Sequence, residues 1–127
     1  MGLIGAFLMG GIVFWINLDY GWWLATTAGL KQWLYTFFFG GLIIKLLEQS
    51  LKKLNNPYLS ISISVLFVST VTTLLVFLVH NLKGTPEPFL STVPTMIMAP
   101  PGFLILALKF KTLNKKTTSS QSEVVPK

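Results

Sequence analysis

One stretch of the chain, His80–Gly102 (HNLKGTPEPFLSTVPTMIMAPPG), gathers most of the side chains able to do chemistry. It carries an imidazole at His80, an ammonium at Lys83, a carboxylate at Glu87 and hydroxyls at Ser91 and Thr95. An imidazole and a carboxylate are material for a general base and acid. No residue is marked as their nucleophile by spacing, so none is assigned a catalytic role. The same stretch holds Pro94, Pro100, Pro101 and Gly102. Each proline removes a backbone donor and presses on the preceding turn, so adjacent prolines followed by glycine predict a broken helix. At membrane depth the freed carbonyls need partners, and the break is expected to sit against protein or a wet cavity. A ligand or lipid site is expected here first, with Lys31 as a further weak candidate. Snorkelling to the headgroup region is the plainer explanation for that lysine.

Composition narrows what can surround these residues. Of 127 residues 52% are hydrophobic and 11% charged, whereas a soluble domain carries about 25% charged residues. The charge is missing from long blocks, the mark of bilayer-spanning segments. Cysteine is absent, which excludes disulfides, thiolate catalysis and sulfur-ligated metals. One histidine and four carboxylates make a protein-only metal site improbable, and no cofactor motif is present. The net charge of +6 comes entirely from lysine, a hydrated point charge poorly suited to reading bases or clamping phosphate. A nucleic-acid partner is therefore not expected.

Four apolar segments position the candidate residues: Gly2–Asn17, Gly29–Gln49, Leu59–His80 and the broken Phe89–Phe110. The first is at the short end of what a spanning helix needs. It lacks the positive start of a cleaved leader, so it is taken as a span. Between it and the second, Leu18–Ala28 carries no lysine but has Tyr20, Trp22 and Trp23, aromatic types that favour headgroup depth. That stretch reads equally as loop, interfacial helix or re-entrant segment. Lysines gather instead at Lys45, Lys52 and Lys53 and from Lys109 onward. Under the positive-inside rule both termini and the loop near Asn55 lie in the cytoplasm, in what reads as a bacterial cytoplasmic membrane. Anionic lipids are expected at Lys45, Lys52, Lys53, Lys109 and Lys111.

The sequence thus predicts an all-α integral membrane four-helix bundle with a Pro/Gly-broken fourth span. Residues 1–111 form the membrane domain and 112–127 a disordered cytoplasmic tail. Ala6 with Gly10 and Thr36 with Gly40 have the spacing that lets helix backbones approach in lipid. They are read first as packing within the bundle and second as an oligomer interface. Ser62, Ser69, Thr73 and His80 fall loosely on one face of the third span. The function expected is that of a small, non-catalytic membrane component acting through helix contacts with itself or a partner. An oligomeric transporter or channel, and an outer-face enzyme or binder of lipid-linked anionic substrates, are the alternatives.

Overall fold

The computed structural model describes residues 2–124. Helix α1 spans Gly2–Ile16, α2 Trp22–Lys52, α3 Pro57–Leu82 and α4 Pro88–Val124. A 3-10 turn, Leu18–Tyr20, joins α1 to α2. Among the described residues there is no strand. The helices form an up-and-down bundle in which α1 packs mainly on α2 and α3 mainly on α4, with α2 and α3 bringing the two hairpins together.

The boundaries follow local chemistry. Asn56 caps α3: its side-chain oxygen accepts from the backbone N–H groups of Tyr58 (3.1 Å) and Leu59 (3.3 Å), ahead of Pro57 at the first helical position. At the other end of α3, Thr85 N–H donates to His80 C=O (3.0 Å) and Gly84 N–H to Asn81 C=O (3.3 Å). Gly84 sits at φ 62. This is a Schellman ending, and its left-handed residue favours glycine. It turns Thr85 back over the end of α3, where its hydroxyl meets His80.

Three of the helices, α2, α3 and α4, are long and apolar enough to cross a membrane. With 15 residues, α1 reaches about 22 Å, short of a hydrocarbon core of about 30 Å. Where α1 crosses α2, a Cβ on Gly29 would lie 2.7 Å from Gly10 C=O and 2.9 Å from Phe14 Cβ. The two backbones touch there, as small residues permit. At helical spacing the α1-facing stripe of α2, through Gly29 and Trp33, continues to Gly40. A Cβ on Gly40 or Gly41 meets nothing within 4 Å. Ala6 is fully buried, whereas nothing among the described residues packs over Gly40.

The bundle interior divides along its length. Toward the lysine-rich end Ile43, Leu47, Leu51, Val68 and Ala107 form one apolar cluster. Toward the opposite end the buried side chains are largely polar: Asn17, Gln32, His80, Thr85, Ser91, Thr92 and Thr95. The outside is apolar, with Phe7, Trp15, Phe38, Leu66, Leu74 and Ile97 among its exposed side chains.

The fourth span is not broken. Pro94, Pro100 and Pro101 all lie inside a continuous α4. Proline's fixed φ is already helical, so its cost is a lost donor and local crowding rather than an obligatory end. Membrane helices accommodate such sites. Pro94 is buried, whereas Pro100, Pro101 and Gly102 face outward and line no interior site. Pro100→Ala with Pro101→Ala is accordingly expected to keep the protein folded and to raise its melting temperature in detergent, by restoring two helix donors. A lower melting temperature would show that the prolines shape packing the helix needs.

Residues 112–124, expected to be disordered, instead continue α4, all of them exposed. Hydroxyls of Thr117 and Thr118 donate back to the carbonyls of Leu113 and Asn114. These local bonds suit a helix as well as a turn.

Candidate functional site

The polar half of the interior resolves into two hydrogen-bonded groups at the end holding the α1–α2 and α3–α4 connections. The first is a ladder across α2 and α3. Lys31 Nζ donates to Lys83 C=O (2.7 Å) and more loosely to Thr85 Oγ1 (3.5 Å). Thr85 Oγ1 lies 3.0 Å from His80 Nδ1, and His80 Nε2 lies 3.0 Å from Gln32 Oε1. Gln32 Nε2 donates to Thr36 Oγ1 (3.3 Å). The amide orientation fixes the tautomer: with Gln32 Oε1 accepting, Nε2 carries the proton and Nδ1 accepts from Thr85. Each member then donates to the next, from Lys31 to Thr36. Burial makes such pairing necessary, since an unpaired polar group in an apolar interior is costly.

The second group is a clasp on Asn17, which is fully buried. Its Nδ2 donates to Val13 C=O (2.8 Å) and Ser91 Oγ (2.8 Å), while its Oδ1 accepts from Glu87 N–H (3.3 Å). One amide thus ties the end of α1 to the start of α4. Tyr20 OH adds an exposed bond to the Glu87 carboxylate. That bond, with burial and nearby negative charge secondary, raises the Tyr20 phenol above its ordinary value. The contribution is complete at neutral pH and is lost only as the phenol ionises in alkali.

Of the residues singled out from sequence, Lys31, His80, Glu87 and Ser91 join these groups. Lys83 contributes its backbone carbonyl while its side chain is exposed. Thr95 is buried nearby with no partner for its hydroxyl. On α3 the buried face runs through Ser60, Ser64, Ser69, Thr72 and His80, not Ser62 and Thr73. Asn17 and Gln32 were not expected as site residues. Their signal is an amide set inside an apolar run, where burial demands partners.

Chemically the ladder is closed. Both His80 nitrogens are engaged, and Lys31 and Glu87 each have a partner. Among the described residues no group of three or more His, Asp or Glu side chains is arranged to hold a metal ion.

The opposite end differs in charge. Lys52 pairs with Glu48 (2.8 Å), and Lys111 Nζ donates to Leu51 C=O (3.3 Å), which also accepts from Ser60 Oγ (2.7 Å). Glu48, Leu51, Lys52 and Lys111 border a cleft of about 300 Å³ with Asn55 and Asn114 on its rim. Lys45, Lys53 and Lys109 are exposed around it.

Fold and site together define an all-helical protein with three helices long and apolar enough to cross a membrane, a polar interior at one end and a lysine-rich rim at the other. Comparison with family models, curated proteins and solved structures finds no match to this chain.

Proposed function

We propose that the protein is a four-span component of a cytoplasmic membrane, non-catalytic, that acts by packing its α2 helix against a second copy of itself. The observation that carries this reading is the Gly40–Gly41 ledge. It continues the stripe on which α1 packs and has open space over both glycines. Two such ledges facing each other across a twofold axis let helix backbones approach, the contact that drives association in lipid. Phe37, Phe38 and Leu42 beside them are exposed and supply apolar shoulders.

In this reading α1 crosses beside α2, both termini lie on the lysine-rich side, and Lys45, Lys52, Lys53, Lys109 and Lys111 meet anionic headgroups. The ladder and clasp hold the two hairpins in register, leaving Lys31 and Glu87 engaged within the protein. An oligomeric transporter is the second reading, favoured by the buried hydroxyls of α3.

Leu42→Cys, in a chain without cysteine, should give an oxidative crosslink at twice the monomer mass in native membranes. Leu66→Cys, on an exposed face of α3, should not. Adding Gly40→Leu and Gly41→Leu should abolish the crosslink. A ladder of higher species would favour the transporter reading, an adduct with another protein a heteromeric role, and equal crosslinking at both positions would remove the ledge as an interface.

A further inference from the structure

Below the His80–Gln32 bond, the hydroxyls of Tyr35, Ser69, Thr72 and Thr95 have no hydrogen-bond partner among the described residues. Each residue is at most 8% exposed. Three helices contribute them. Leu51 and Lys111 are in contact, and the same offset along α2 and α4, which run in the same direction, sets Tyr35 level with Thr95. Both therefore lie near the depth of Gln32 and His80. Thr72 and Ser69 follow along α3, about 12 and 16 Å from His80 at the usual helical rise.

Serine and threonine in membrane helices ordinarily bond to a carbonyl one turn back. Thr70 does so with Leu66 C=O (2.8 Å), and Thr92 with Pro88 C=O (2.8 Å). The buried Ser69, Thr72 and Thr95 do not. Tyr35 has no such local partner either, and its ring stacks on Phe39. Ser64, one turn beyond Val68 toward the lysine-rich end, is orphaned as well, so four of the five orphaned buried hydroxyls lie on the His80 side of that residue, where they call for a ligand that both donates and accepts.

We propose that the interior between α2, α3 and α4 beneath His80 is a hydrated pocket that binds water. Bound water bridges the hydroxyls of Tyr35, Thr95, Thr72 and Ser69, as buried waters do when several polar groups surround them. The His80–Gln32 bond with Thr85 and Lys31 forms its roof toward the lysine-poor face. Its floor is the apolar cluster of Ile43, Leu47, Val68 and Ala107, which blocks passage to the other side. The pocket is thus an enclosed chamber between a hydrogen-bonded roof and an apolar floor. It depends on the bundle interior alone and stands whether or not two copies associate.

Hydroxyl removal tests it by sign. Thr95→Val, Thr72→Val and Tyr35→Phe keep shape while deleting the polar atom. If the hydroxyls hold water, each variant should lower the melting temperature in nanodiscs. If the interior is dry, deleting an unpaired buried hydroxyl should leave it unchanged or raise it, and the proposal is overturned. A second readout needs no melting transition. Solid-state NMR of labelled protein in nanodiscs should show magnetisation passing from water protons to Thr72 and Thr95 and not to Val68. No transfer to Thr72 and Thr95 would also overturn the pocket.

Discussion

Gly29→Leu is expected to prevent the protein from folding, whereas Gly40→Leu is expected to leave it intact. A Cβ at Gly29 would stand 2.7 Å from a backbone carbonyl and 2.9 Å from Phe14 Cβ. Neither is the loose end of a flexible side chain, so α1 and α2 must separate. Overpacking in a core costs about 1–3 kcal/mol and occasionally more. A leucine wedged between two helix backbones belongs at or above the top of that range. Gly10→Leu should behave similarly, since its Cβ would meet Gly29 C=O at 3.0 Å and Trp33 Cβ at 3.1 Å. Yield of monodisperse protein and thermal unfolding in detergent are the measurements. Wild-type melting of Gly29→Leu would mean that α1 does not cross α2 at this point. Collapse of Gly40→Leu would mean that the ledge is already filled within one chain.

Asn17→Ala is the second large effect. The substitution removes the bonds to Ser91 Oγ, Val13 C=O and Glu87 N–H together. Unsatisfied buried groups cost about 1–3 kcal/mol each in water-soluble proteins. Interhelical bonds between membrane helices average less, about 0.6 kcal/mol. The expected loss is therefore about 2 kcal/mol, read as a lower denaturant or thermal midpoint. It should be accompanied by loosened contact between α1 and α4 but not between α3 and α4. Asn17→Asp keeps the acceptor for Glu87 N–H and loses both donors, so it should destabilise without restoring the clasp. A midpoint unchanged in Asn17→Ala would show that the helix ends are held by packing alone.

The helices were legible because they coincide with long apolar runs, and Asn56-Pro57 and Gly84 mark two of their ends in plain chemistry. The proline reading failed for a definite reason. Loss of a donor does not dictate a break when the fixed φ of proline is already helical, and outward-facing Pro100 and Pro101 line nothing. Gly29, four residues after Ala25 and four before Trp33, gave no more sign of close approach than Gly40. Which glycine touches a neighbour depends on how α1 and α2 cross, a tertiary fact. Lys31, His80, Glu87 and Ser91 were found by residue type, since charge and imidazole are scarce in this chain. Asn17 and Gln32 were passed over because a neutral amide lacks that prominence, although in hydrocarbon it needs partners almost as strictly. The Lys31–Lys83 contact joins residues distant in sequence and follows only from the way the hairpins dock.

The most direct test of the arrangement is the sidedness of its two ends. Asn55→Cys and Ser119→Cys mark the lysine-rich end, and Asp19→Cys and Lys83→Cys the end closed by the ladder and clasp. All four positions are exposed. In intact cells a membrane-impermeant thiol reagent should label Asp19→Cys and Lys83→Cys, and should reach Asn55→Cys and Ser119→Cys only after lysis. Labelling of Asn55→Cys from outside, or opposite sidedness for Asp19→Cys and Lys83→Cys, would contradict a four-span bundle with its lysines inside.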